Sequence, residues 1–164
     1  MTDDISHPPK MSAGGCMCGA VRYTIAEKPL ATGLCHCNRC RPQSGSAFST
    51  VIFVNRSAVT ITGETADFED VGSSGLKVLR RYCPRCGSPL FTVPDVTPDL
   101  MMVKAGGTDS NEWFHPIWEL FVGQAQAMGC AHPRRGAVRR QSGNLRKNRD
   151  ELVAEKQSPL RRSR

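Results

Sequence analysis

The stretch LCHCNRCRPQSG, residues 34–45, places Cys35, Cys37 and Cys40 within six positions. Thiols at that density serve as disulfides, as a redox pair or as metal ligands. Five further cysteines stand at Cys16, Cys18, Cys83, Cys86 and Cys130, and the eight together are too sparse for a small disulfide scaffold. The N-terminal MTDDISHPPKMSAGG is polar and contains no apolar run suited to a signal peptide or a membrane span. The expected setting is therefore reducing and cytoplasmic, where clustered cysteines bind metal or do chemistry more often than they form bridges.

The most specific of the cysteine groups is CPRCG, residues 83–87. Two thiols two residues apart, with Pro84 shaping the turn and Gly87 permitting positive φ after it, form a zinc knuckle in which both sulfurs face one ion. The same spacing occurs in redox motifs, but those place a long helix after the pair, whereas SPLFTV reads as a turn and a strand. A structural zinc takes four ligands, and Cys16 and Cys18 can supply the other two. In an extended segment residues i and i+2 point to one side, so both sulfurs can approach an ion while Met17 faces away. Gly14, Gly15 and Gly19 allow the backbone to come close. A site of Cys16, Cys18, Cys83 and Cys86 would tie the N-terminal segment to a turn 65 residues later and contribute to stability by closing that loop.

Cys35, Cys37 and Cys40 then remain as a set of three. Alternation puts Cys35 and Cys37 on one side, and a turn at Asn38 and Arg39 can return Cys40 to them. Three thiolates with a vacant fourth position is the coordination of a working zinc. Spacing alone leaves two alternatives open: His36, Cys130 or another residue completes a second closed site, or the trio shares ligands with Cys16 and Cys18 in a different partition.

These side chains need a scaffold, and the body reads as mainly β. Candidate strands are 21–25, 48–54, 59–62, 77–83, 90–93, 100–105 and 117–122, rich in β-branched and aromatic residues and separated by Gly, Pro, Asn or Asp. No window before residue 130 has a long apolar pattern of helical period. The only regular helix expected lies in residues 144–156. The expected organisation is a flexible leader (1–12), one zinc-binding domain (13–130) and a basic C-terminal tail (131–164), disordered or weakly helical.

Charge follows the same division. Residues 131–164 hold 11 Lys and Arg against 3 Asp and Glu, while the remainder holds 11 against 12. The net charge of +7 thus belongs to the tail. That tail has no Phe, Tyr or Trp, so it can bury little surface to offset the entropy of ordering. It could attract nucleic acid weakly and in a salt-sensitive way, but it lacks the aromatic platforms of single-strand binders. A non-catalytic zinc module with a nucleic-acid-binding tail is accordingly the alternative to an enzyme.

GGCMCGAVRYTI, then CHCNRCRPQSGSAFST, then ITGE, then YCPRCGSPLF resemble the glutathione-dependent formaldehyde-activating enzyme (GFA) family, to which the centromere protein V group also belongs. The resemblance covers about residues 13–122. It implies a fold of coiled antiparallel sheets holding two zincs, a structural Zn2+ on Cys16, Cys18, Cys83 and Cys86 and an active-site Zn2+ on Cys35, Cys37 and Cys40. It also implies a carbon–sulfur lyase that condenses formaldehyde with glutathione to S-(hydroxymethyl)glutathione. A zinc with three thiolates is a poor Lewis acid but a suitable carrier for a substrate thiolate. Glutathione brings two carboxylates, which arginine can grip in two places. Arg39 and Arg41 flank the trio and are the first candidates, followed by Arg80, Arg81 and Arg85.

Other residues carry smaller expectations. His36 should point away from the ligands, towards an outer contact or the surface. His115 precedes a proline and is expected to be packed or exposed. Trp113, Phe114 and Trp118 are expected in the core or a pocket wall, and Cys130 as a free thiol. Asp67, Glu69 and Asp70 read as an acidic patch in solvent. No membrane partner is expected, and the oligomeric state is left open.

Overall fold

A computed structural model describes residues 12–128. The leader, Cys130, the basic tail with its expected helix, and any nucleic-acid contact made there lie outside the described residues.

Among the described residues, ten strands form two sheets. The smaller has the order β1 (Ser12–Gly15), β2 (Arg22–Ile25), β5 (Val59–Thr62). The larger contains β3 (Ala31–Cys35), β4 (Ser49–Asn55), β6 (Ala66–Val71), β7 (Lys77–Tyr82), β8 (Pro89–Pro94), β9 (Leu100–Lys104) and β10 (Trp118–Leu120). Its order is β10-β3-β4-β9-β8-β7-β6. All pairings are antiparallel except β10 with β3, which is parallel, because residues 105–117 carry the chain back before it enters the sheet.

The alternation expected of a half-buried strand appears in β4, but here both phases are buried. Ile52 and Val54 join one core with Val21, Tyr23, Ile25, Phe91 and Val103, between the two sheets. Val51 and Phe53 face the other way, into a second core with Ala31, Leu100 and Leu120. The larger sheet is therefore covered on both faces along its centre, as a continuous apolar run such as VIFV requires. Each core contains cysteines: Cys16 and Cys83 belong to the first, Cys35 and Cys37 to the second.

Three strands did not match the seven read from the sequence: β1 (SAGG), β3 (ATGLC) and β6 (ADFEDV). Their composition is poor in β-formers, and pairing with stronger neighbours makes them strands. Gly14 in β1 is obligatory for a different reason. A Cβ there would sit 2.3 Å from the Gly107 carbonyl oxygen and 2.4 Å from the Tyr23 hydroxyl, so the backbone approach depends on glycine. Among the described residues there is one short α-helix, α1 (Cys40–Ser44), ending at Gly45 in the left-handed region. Five residues with none buried give no periodic signal, which explains its absence from the sequence pattern.

Candidate metal centres

Register brings both cysteine groups to one end of the larger sheet. Cys35 at the end of β3 pairs with Ser49 at the start of β4, β9 finishes at Lys104, and Tyr82 at the end of β7 pairs with Pro89 at the start of β8. Chain reversals at this end carry the ligand-type residues.

The first group joins the turn after β1 to the turn between β7 and β8. The candidate ligand atoms of Cys16, Cys18, Cys83 and Cys86 all lie within 4.8 Å of one another. Cys16 Sγ is 3.6 Å from Cys18 Sγ, and Cys18 Sγ is 3.8 Å from Cys83 Sγ. Local backbone donors already point at the sulfurs: the Val21 N–H donates to Cys16 Sγ at 3.2 Å. In the second turn, the Gly87 N–H donates to the Cys83 carbonyl at 2.9 Å with Gly87 at φ +73°, the conformation expected of the knuckle. Ser88 Oγ accepts from the Met17 N–H at 3.1 Å and lies 3.2 Å from Cys86 Sγ, tying the two turns together. Chiefly through the Ser88 hydroxyl and its N–H, the Cys86 thiol is pulled down to about 5, the form a metal needs. Met17 is 84% exposed, facing away as alternation requires.

The second group is Cys35, Cys37 and Cys40, whose candidate ligand atoms also lie within 4.8 Å of one another. Cys35 is held by β3. Cys37 occupies the following turn, its carbonyl accepting from the N–H groups of Cys40 at 3.1 Å and Arg41 at 3.2 Å. Cys40 is the first residue of α1, and its N–H also donates to Cys37 Sγ at 3.2 Å. Cys37 is pushed strongly toward thiolate by hydrogen bonds from Cys35 and then Cys40, while Cys35 is pushed the other way by the same contacts and by burial. Three crowded thiols that cannot all ionise without a counter-charge suit a cation. Among the described residues, no further His, Cys, Asp or Glu completes either group. Both groups could hold a metal ion, and their all-sulfur donor sets fit zinc better than the harder magnesium or calcium.

His36, between two of the trio, is neither at the surface nor a member of the group. It is buried, its Nε2 lies 3.5 Å from Glu119 Oε2, and its ring meets Phe48 edge-on at 5.7 Å. Its backbone N–H donates to the Leu120 carbonyl at 3.0 Å, so it anchors the trio's strand to β10. Trp113 is buried in the first core, Phe114 packs against that core, and Trp118 packs against the second, while His115 is exposed.

The acidic patch expected in solvent is corrected by Asp70. Glu69 is exposed and Asp67 accepts from Arg81 at 2.8 and 2.9 Å, but the Asp70 side chain is only 4% exposed. Asp70 receives Arg39, Arg80 Nε at 2.6 Å and the Val71 N–H at 2.8 Å. Arg80 is itself buried, donates to Gln43 Oε1 at 2.9 Å, and places Nη1 4.0 Å from Cys40 Sγ. A run of acidic residues on an edge strand reads as solvated; Arg80, on the same face of β7 two residues beyond the register partner Val78, is what draws Asp70 inward. Arg41 hydrogen-bonds the Asn38 side chain, and Arg85 is exposed.

The Asp70 carboxyl is held at about 2, first by Arg39 and then by Arg80, against an ordinary value of 3.8. A depressed carboxylate contributes stability that is complete above the unfolded value and lost as pH falls through the folded one, here between about pH 4 and pH 2. Because half of Arg39 is in solvent, that pH-dependent contribution is screened to about 1 kcal/mol. Asp70→Asn should cost more, about 3 kcal/mol at pH 7, because it leaves Arg80 buried without a counter-charge. Urea unfolding of both proteins from pH 7 to pH 2 checks both numbers: the gap between them should narrow below pH 4.

Among the described residues, three hollows bear on the choice of a site. A groove of about 830 Å³ runs past Arg39, Phe68, Asp70 and Pro94 and touches no cysteine. A hollow of about 280 Å³ lies beside α1 against Arg39, Gln43 and Arg80. A cleft of about 490 Å³ reaches the first cysteine group at Cys16 and is lined also by Ser44, Phe48, Ser49, Lys104 and Gly107, of which Ser49 is the register partner of Cys35. Of the three, only the last is lined by a cysteine and by a buried lysine. Lys104 escaped the sequence reading because it stands at the end of a strand with no motif around it.

The chain is similar to known proteins. The family described as glutathione-dependent formaldehyde-activating enzyme matches residues 11–124. A Penicillium rubens protein provisionally named a glutathione-dependent formaldehyde-activating enzyme is 30% identical over 131 residues, which is 74% of this chain and 67% of that protein. A crystal structure of a Rhodobacter sphaeroides protein superposes with a TM-score of 0.48 at 16% identity, covering 60% of this chain and 88% of that one. With its two cysteine groups inside the matched span, the chain belongs to the glutathione-dependent formaldehyde-activating enzyme family.

Proposed function

We propose that this protein is a zinc-dependent, carbon–sulfur lyase-like enzyme that joins a small thiol to a small aldehyde, with glutathione and formaldehyde as the first pair to test. Cys35, Cys37 and Cys40 form its working site, and Cys16, Cys18, Cys83 and Cys86 its structural one. The supporting observation is the inequality of the two groups: four candidate ligands in one, three in the other. Zinc bound by three thiolates supplies an open position that lowers the pKa of an incoming thiol and holds its sulfur.

The remaining work falls to the chain. β3, its turn and α1 fix the three sulfurs, and the buried Asp70–Arg80 pair steadies Cys40 from outside. Leu120 shares the second core with Cys35 and Cys37, and His36 between them bonds the Leu120 carbonyl and packs on Phe48. Arg39 and Arg41, which flank the trio in sequence, are the proposed carboxylate contacts; Arg39 lines the hollow beside α1 and is half exposed even with Asp70 bound. Positioning a thiolate beside a carbonyl carbon converts a bimolecular encounter into an oriented one. A reducing compartment suits seven unbridged thiols.

Metal-loaded protein mixed with glutathione and formaldehyde should form S-(hydroxymethyl)glutathione, followed by its methylene proton signal, faster than the spontaneous reaction. Protein with both groups metallated that accelerates no thiol–aldehyde pair would defeat the reading.

A further inference from the structure

Residues paired across strands, or two apart along one strand, share a face of the sheet. Cys35 pairs with Ser49, Val51 with Lys104, and Arg80 with Thr92, which pairs with Met102. Ser49, Lys104 and Arg80 therefore stand on the face of Cys35. Two cations beside the trio are thereby set by register, but they are not equivalent. Arg80 is neutralised by Asp70 at 2.6 Å.

Lys104 has no such partner. It is only 6% exposed, its ammonium donates to Ser49 Oγ at 3.0 Å, and among the described residues no carboxylate lies within ion-pair distance. Burial pushes it toward losing its proton, while the sulfurs of Cys40, Cys35 and Cys37 favour keeping it. An ammonium has three N–H donors, and one hydroxyl leaves two unspent. Keeping such a group inside a protein is costly unless something binds there. Lys104 and Ser49 also line the 490 Å³ cleft, along with the hydroxyl-bearing Ser44 and Ser46, whereas the trio does not. A ligand in the cleft meets Lys104 and Ser49, and Ser49 is the register partner of Cys35.

We propose that Lys104, steadied by Ser49, is the anion-receiving residue of this cleft, binding a negatively charged oxygen of the ligand next to the Cys35–Cys37–Cys40 site. That oxygen has two sources. It is a carboxylate the ligand carries in, or the oxygen that becomes negative when a thiolate adds to a carbonyl; the second source rests on the thiol–aldehyde reading above. In that addition a sulfur lone pair forms the S–C bond, the C=O π pair moves onto oxygen, and the oxygen takes a hydrogen bond from Nζ and then a proton from water. A fixed buried donor aimed at developing charge is the arrangement that lowers such barriers.

The test compares the metal-loaded parent with Lys104→Met and Lys104→Arg. Metal content and thermal unfolding certify the variants, with Ser49→Ala and Lys104→Gln in reserve should Lys104→Met fail to fold. Calorimetric binding of S-methylglutathione, whose sulfur is blocked but whose carboxylates are intact, reads the first source. Turnover of uncharged 2-mercaptoethanol with formaldehyde reads the second. For a carboxylate, Lys104→Met should weaken S-methylglutathione binding by about tenfold or more, with Arg restoring most of it. For a developing oxyanion, binding should hold while kcat with 2-mercaptoethanol falls about 100-fold at unchanged KM, again with partial rescue by Arg. A folded, metallated Lys104→Met protein unchanged in both assays overturns the proposal, as does a parent that shows neither binding nor turnover. Binding without turnover in the parent defeats the thiol–aldehyde reading and leaves the anion site standing.

Discussion

Cys83→Ala should lose its cooperative fold at physiological temperature, with the melting temperature falling by about 15 °C or more and one metal equivalent lost. Cys83 is fully buried, and its sulfur reaches Cys18 from 65 positions away. The four-sulfur group thus joins the β1–β2 hairpin to the β7–β8 turn, and the first core, to which Cys16 and Cys83 both belong, closes over that junction. Removing one ligand weakens a metal whose binding free energy, on the order of 10 kcal/mol, is folding free energy. That is comparable to the whole stability of a domain, about 5–15 kcal/mol. Chelation of the parent should reproduce the loss, and readdition of zinc should reverse it. Scanning calorimetry with metal analysis provides the check; an alanine variant melting within a few degrees of the parent would mean that the sulfurs are packed but not bridged by metal.

Cys37→Ser should separate the second group from the first. Thiol–aldehyde turnover should fall by about 1,000-fold or more, because the working metal loses a thiolate, while the structural site keeps its ion. The fold should survive with a loss of about 1–2 kcal/mol, since Cys37 is buried beside Phe48's neighbour His36 but spans no long loop. Metal content should drop from two equivalents to one. The contrast between the variants is the decisive feature: Cys83→Ala should act on stability, Cys37→Ser on chemistry. Full turnover in a Cys37→Ser protein that binds one metal would move the working site elsewhere.

Much of this was legible in the chain. Strands such as β4 and β7 announce themselves by β-branched and aromatic residues, and the residues around Cys83 and Cys86 specify their own turn through Pro84 and Gly87. β1, β3 and β6 did not, because Gly, Ala and acidic residues become strands only where stronger neighbours offer hydrogen-bonding partners. The arginines show the same limit. Arg39 and Arg80 look alike in sequence, yet one is half exposed and the other buried, both on a single aspartate read as solvated.

The sequence by itself determined which cysteines act together within each turn, since ligand spacing of two or three residues is a local property of extended and turn backbone. It also determined the β character of the body and, through the ordered set of seven cysteines, the family. Only the tertiary structure decided what surrounds the sulfurs. Lys104, Ser49, Arg80 and Asp70 lie on four different strands, and their meeting with Cys35 follows from a register that long-range pairing alone sets. A slip of one residue in β9 would turn Lys104 to the opposite face, because side chains alternate along a strand, and no local feature of residues 100–105 records which face was chosen.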